Sequence, residues 1–245
     1  MIELIDNLIQ LVLTATCTLV AFYRAFRFRR QSEMASKRVS KIPTINFQIG
    51  RREWILLGLC TGEYFFGDLF TVLYLALYDE TPPYLYISNI SWYTSYLFLS
   101  LLVLYVSDRQ SIRMQSRAQL LIPIFTITMC VVFFIDDGGI FDNLLGLIVM
   151  TPAIWLAGGA LEIERQQKKK TGHRSKKWYF FLLCLVIPAL EYGLWVTSGF
   201  FWIGDTILNP YFCIDLALSV CFVLLMFTAD DAIKASNIGI TEVDG

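Results

Sequence analysis

The sequence predicts an all-α protein: seven transmembrane helices in one bundle, with the amino end outside and the carboxyl end inside. Three observations predict it. Of its 245 residues, 56% are hydrophobic, and they fall into runs of the roughly 20 residues that a helix needs to cross about 30 Å of hydrocarbon. All 20 Lys and Arg fall in residues 24–52, 109–117 and 165–177 or at Lys234. These are alternate connections and the tail, so the positive-inside rule assigns every one to the cytosolic side. The other connections carry only acids, Asp79, Glu80, Asp136, Asp137, Asp142 and Asp205.

The first apolar run, Leu8 to Tyr23, has Glu3 and Asp6 before it and Arg24, Arg27, Arg29 and Arg30 after it. A cleaved signal peptide has the opposite order, so the run is read as a retained span. Residues 24–52 are expected to form a solvated basic loop, with Ile42, Ile45, Phe47 and Ile49 as the alternative of a segment lying on the membrane surface. The second span runs from about Trp54 to Tyr78 and stops where Pro82 and Pro83 deny the helix its backbone donors.

The third span covers Tyr86 to Val106, and the short fourth covers Leu120 to Ile135. The fifth, Asn143 to Leu161, contains Pro152 and the pair Gly158 and Gly159, which permit close packing or a kink. It leads into a charged inner loop, EIERQQKKKTGHRSKK. The sixth span starts at Trp178, and the seventh runs from between Ile207 and Pro210 to near Thr228. Residues 1–228 are one transmembrane domain and 229–245 a short cytosolic tail. A multi-pass protein of the plasma membrane is expected.

Because the basic residues all belong to the inner side, the acids within the spans have no charged partner. Glu63 and Asp68 straddle the middle of the second span in GEYFFGDLF, Glu191 lies in the sixth, Asp215 in the seventh, and Asp205 at its mouth. A charged carboxylate costs roughly 2.5 to 3.5 kcal/mol or more at the bilayer centre, so such groups face the bundle interior, carry a proton or hold a cation. Glu63 and Asp68 are five residues apart, roughly 140° around a helix, and share a tight site only if the helix kinks at Gly62 or Gly67. Tyr64 stands four residues before Asp68, on its face. Tyr192 adjoins Glu191, and Asn209 follows Asp205 by one turn. The candidate binding set is therefore Glu63, Tyr64, Asp68, Glu191, Tyr192, Asp205, Asn209 and Asp215, with Asp68 favoured over Glu63.

Other residues carry less chemistry. Gly58 and Gly62 form a GxxxG that reads as helix packing, and the aromatic residues read as interface belts and core. The six cysteines all fall in spans without a CxxC, so they read as small apolar filler and no metal set is expected. The lone histidine, His173, sits in a basic connection, which excludes a multi-histidine zinc centre. The seventh span has no Lys for a retinal Schiff base, and neither a phosphate loop nor a G-x-S-x-G elbow occurs. The charge distribution points to the lipid bilayer as a partner, and no nucleic-acid footprint is inferred.

Two segments carry a family resemblance. GLCTGEYFFGDLFTVLYL (58–75) and GFFWIGDTIL (199–208) resemble the Gly-Asp signatures of lysoplasmalogenase-like membrane proteins. Gly204 stands where that family has serine, and seven spans stand where it usually has eight. The resemblance implies hydrolysis of a lipid vinyl ether within the bundle, with Asp68 and Asp205 as the acidic pair: one protonates the vinyl ether carbon, the other steadies the cation and activates water. The residues by themselves favour a different class, a receptor, sensor or small transporter. Its outer acids would draw in a cationic or amine ligand, a metal ion or a proton, and a separate cytosolic partner would dock at the basic inner connections.

Overall fold

A computed structural model describes residues 2–38, 45–78, 86–137, 139–200 and 209–241. The described chain is helical almost throughout: α1 (Ile2–Arg38), α2 (Ile45–Tyr78), α3 (Tyr86–Val106), α4 (Leu121–Asp137), α5 (Ile140–Thr171), α6 (Lys177–Phe200) and α7 (Pro210–Thr241). Two 3-10 turns, Gln110–Ile112 and Arg117–Leu120, link α3 to α4. All seven helices are long and apolar enough to cross a membrane.

Each helix buries one stripe at helical spacing. On α1 the buried stripe is Gln10, Thr14, Cys17, Ala21 and Ala25, steps of four and three residues that return to one face. On α7 it is Phe212, Asp215, Leu218, Phe222, Leu225 and Ala229. The opposite faces carry large apolar side chains in the open, among them Val12, Leu77, Ile135, Phe141 and Phe227. In water such a surface drives association; in a bilayer it is the surface that lipid wets.

Six helices close a ring in the order α1, α2, α3, α5, α6, α7 and back to α1, while α4 lies outside it against α5. The seam between α1 and α2 is tight because it is lined with small residues. Gly58 faces the Phe22 ring and Gly62 the Thr18 methyl, so the GxxxG packs helices within this chain. The interior also packs Leu57, Leu99, Leu102, Phe181 and Leu225, all of them almost wholly buried.

Three expectations about the connections change. The span between the first two runs is not a solvated loop over its length: α1 continues to Arg38 and α2 begins at Ile45, leaving residues 39–44 outside the described chain. The charged segment after the fifth span is helical to Thr171, because Glu, Arg, Gln and Lys are good helix formers once outside the hydrocarbon. Gly172 then ends it at φ 77°, a left-handed conformation that glycine adopts without strain. Likewise α7 runs past Thr228 to Thr241. Pro152 and Pro188 both lie inside uninterrupted helices.

Candidate functional site: a buried acidic core

The interior stripe of α2 carries Tyr64 and Asp68 into the ring, as their four-residue spacing demands. Asp68 is fully buried and held from two sides. The Thr14 hydroxyl of α1 donates to its Oδ2 at 3.2 Å, and the Trp92 indole N–H of α3 donates to its Oδ1 at 3.2 Å. Gly67 makes the second bond possible. A Cβ there would lie 2.7 Å from Trp92 Cδ1, so only glycine lets the indole lie across α2 and reach the next residue. The Gly-Asp pair is thus one device, in which the glycine seats the donor and the aspartate accepts from it.

Glu191 reaches the same space from α6. Its Oε2 accepts from the Tyr96 hydroxyl at 2.8 Å and from the Tyr64 hydroxyl at 3.1 Å, and the Trp195 side chain, one turn on, also bonds its carboxyl. Asp215 comes from α7, where the Gln10 amide of α1 donates to its Oδ1 at 2.6 Å. Asp6 of α1 lies close enough to Asp215 for their charges to interact. Asp68, Glu191 and Asp215 are close enough that their charges interact. Three carboxyl groups from three helices, each 4% exposed or less, therefore lie within reach of one another's charge, with hydroxyl, indole and amide donors and, among the described contacts, without a Lys or Arg.

Aromatic faces enclose this core. The Tyr64 ring centroid is 4.8 Å from Phe222, 6.1 Å from Trp92 and 6.4 Å from Tyr96. Their negative π-faces complement positive charge placed among them. Below the acids the lining turns to thiols and hydroxyls, with Cys60 and Ser95 3.4 Å apart. No group of three or more His, Cys, Asp or Glu among the described residues is arranged to hold a metal ion.

The residues proposed from sequence separate as follows. Tyr64, Asp68, Glu191 and Asp215 converge. Glu63 does not join them: it is half-buried on the flank of α2, because the helix runs through Gly62 and Gly67 without a break and the 140° between the two acids stands. Tyr192 packs edge-on against Phe125 of α4, centroids 5.5 Å apart, on the far side of α6. Asn209 caps α7, its Oδ1 accepting from the Tyr211 amide at 3.0 Å, a structural role that asparagine fills at helix starts. Asp205 lies outside the described residues, as do Asp79 and Glu80.

Sequence reasoning missed Asp6, Gln10, Thr14, Tyr96 and Trp195. The signal for the first three was present. Asp6, Gln10, Thr14, Cys17, Ala21 and Ala25 are polar or small residues at steps of four and three in a helix otherwise lined with Leu, Val and Phe.

Gly67→Ala is expected to push the Trp92 ring off α2 and break its bond to Asp68, at a cost of about 1 to 3 kcal/mol for the overpacking. Trp92→Phe should lose the same bond without the clash. Tryptophan fluorescence and thermal unfolding of the two variants check this. A Gly67→Ala protein as stable as the parent would contradict the seating described.

Compared with protein-family models, curated proteins and solved structures, the chain has no match. The fold is compatible with one class: seven apolar helices, a large apolar exterior and a buried core that is mainly apolar around a few acids, the construction of an integral membrane protein.

Proposed function

We propose that the acidic core is a binding site for positive charge, and that the protein is a receptor, sensor or small transporter whose site faces the outer half of the plasma membrane. One observation carries this reading: Asp68, Glu191 and Asp215 share a space from which all 20 basic residues are excluded by their place in the chain. Neutral donors satisfy part of each carboxyl group and leave the charge uncompensated. A proton, a small cation or an amine supplies what the chain withholds. The aromatic walls favour an organic ammonium over a bare hydrated ion, since π-faces complement a weakly hydrated cation. The topology of the sequence supports the side of entry: the acids sit toward the end that lacks Lys and Arg, where acidic turns attract cations.

The test is thermal unfolding of the purified protein against a panel of alkali and divalent cations and alkylammonium ions. A ligand at 100 times its Kd is expected to add about 2.7 kcal/mol of stability, and Asp215→Asn and Glu191→Gln should remove the gain while Glu63→Gln retains it. A panel without any shift, or a shift insensitive to Asp215 and Glu191, would overturn the reading.

A second reading rests on the same aromatic walls. A carboxylic acid among Tyr64, Trp92, Tyr96 and Phe222 is suited to protonate an electron-rich lipid bond and shelter the resulting cation, in keeping with the lysoplasmalogenase-like resemblance. Asp68 would be the acid, with Asp215 in the part that the resemblance gives to Asp205. Release of aldehyde from lysoplasmenylethanolamine, lost in Asp68→Asn, tests it; no release by the parent protein counts against it.

A further inference from the structure

The ring carries a second set of buried acids at its far end, where the basic residues gather. On α2, Glu53, Leu57, Cys60, Tyr64 and Asp68 recur at steps of four and three, each 2% exposed or less. Glu53 therefore ends the same buried stripe that carries Asp68, roughly 22 Å further along the helix. On α5, Met150, Ala153, Ala157, Ala160 and Glu164 form a matching stripe. The packing of Gly146 sets its level: a Cβ there would lie 3.3 Å from the Tyr93 hydroxyl and 3.4 Å from the Trp195 ring. Glu164 follows Gly146 by 18 residues, about five turns, so it stands beneath that glycine on the same face. With Trp195 one turn above Glu191, this puts Glu164 about 20 Å beyond Glu191, the depth that Glu53 reaches below Asp68.

Both acids are incompletely satisfied. Glu53 is 0% exposed, and the Arg52 guanidinium donates to its Oε1 at 3.0 Å. Arg52 is itself held by stacking 3.6 Å above the centre of the Tyr105 ring of α3. Glu164 is 4% exposed. The Oε2 of each is buried without a hydrogen-bond partner, a costly state for an acceptor unless something donates to it. An apolar layer separates these acids from the first set. Leu57, Phe181 and Leu225, each 1% exposed or less, stand roughly 15 to 17 Å along their helices from Asp68, Glu191 and Asp215.

We propose that Glu53 and Glu164 form a second station for the cation held in the acidic core, and that the protein is a transporter that passes an organic ammonium between the two stations through the layer of Leu57, Phe181 and Leu225. The proposal rests on the cation-site reading above and selects the transporter among its forms. A receptor needs one set of acids, whereas a carrier needs acids on both sides of its barrier. Ammonium N–H groups supply the donors that the two Oε2 atoms lack. The stations differ in strength. The core has no base beside its acids, but at the far end Arg52 already bonds Glu53, and half-buried Lys177 reaches the same depth on α6, one turn below Phe181. The chain's own bases compete there for the carboxylates, so the cation is held tightly at the core and released at the far end, the cytosolic one by the charge rule.

The experiment reconstitutes the full chain in liposomes and follows uptake of radiolabelled methylammonium at about pH 6, where nearly all of the amine is charged. Rubidium and calcium tracers are run beside it, and uptake by protein-free liposomes is subtracted. The parent is expected to take up methylammonium. Glu53→Gln with Glu164→Gln should slow uptake at least about tenfold, as loss of a charge partner does. Thermal stabilisation by methylammonium should persist in that double variant, because it reports on the acidic core and on a folded chain. Leu57→Ala thins the layer without touching either station and should speed uptake. A parent that one of these cations stabilises but that takes up none of them overturns the proposal. So does a double variant as fast as the parent, and a Leu57→Ala protein no faster than the parent counts against passage through the layer. The underlying reading fails separately: if no cation of the panel stabilises the parent, the acidic core is not a cation site.

Discussion

Asp68→Asn is expected to abolish the response to cations while leaving the fold as stable as the parent or more so. Asparagine has the shape of aspartate and keeps the contacts of this site. Its carbonyl accepts from the Trp92 indole, and its amide donates to the Thr14 hydroxyl, which also bonds the backbone of its own helix at Gln10, 2.9 Å away. What vanishes is an acid beside two others with no counter-charge. Removing one of several like charges from a low-dielectric site relieves repulsion, so function and stability should move in opposite directions, as they do where a site is held under electrostatic strain. Thermal unfolding with and without the stabilising cation reads both quantities in one experiment. A protein destabilised by this substitution would mean that Asp68 is a structural acceptor and not part of a site.

Glu191→Leu is expected to be the most damaging single change in the core. It strands the Tyr64 and Tyr96 hydroxyls, which are 2% and 0% exposed, and both lie where water cannot replace the lost acceptor. Two magnitudes bracket the cost. Interhelical hydrogen bonds in membranes average only about 0.6 kcal/mol each, which for two gives a floor near 1 kcal/mol. Leaving two buried donors unmatched costs about 1 to 3 kcal/mol apiece. The cost should lie between these limits, because both hydroxyls converge on the same oxygen but each is also within reach of the other once that oxygen is gone. Adding Tyr64→Phe and Tyr96→Phe to Glu191→Leu should recover much of the loss, since the two stranded hydroxyls are then gone, while the Trp195 indole still lacks the acceptor it had in Glu191. Thermal unfolding of single and triple variants decides; additive losses in the triple variant would contradict the network.

How much of this was legible depends on what each signal measures. The third span was read to both ends, Tyr86 to Val106, because prolines and charges bound it on either side. The extensions of α1, α2, α5 and α7 were not, because hydropathy falls silent where a helix leaves the bilayer although the helix itself continues on residues such as Glu, Gln and Lys. Asp68 was separable from Glu63 by the angle between them and by Tyr64 on the same face. Gly67 was read as a hinge, whereas it is a seat for Trp92: a glycine's purpose depends on a residue from another helix. Tyr96 was passed over because aromatics in a span usually mark its interface. Asp6 was read as a flanking charge because it lies at the edge of its apolar run, and its partner stands more than two hundred positions later.

That separation sets a timetable for biogenesis. Gln10 and its acceptor Asp215 are 205 residues apart, so at about 5 to 20 residues per second α1 waits roughly 10 to 40 seconds in the membrane before α7 emerges. During that interval its glutamine and threonine can settle against α2, but the acid of α7 does not yet exist. The ring is therefore closed by α7, made after the other helices that form it, and the core acquires its full complement of carboxylates only when α7 arrives. An unfinished chain would carry an open, incompletely charged cleft, the kind of exposed polar surface in lipid by which a cell's quality control recognises an orphaned membrane helix.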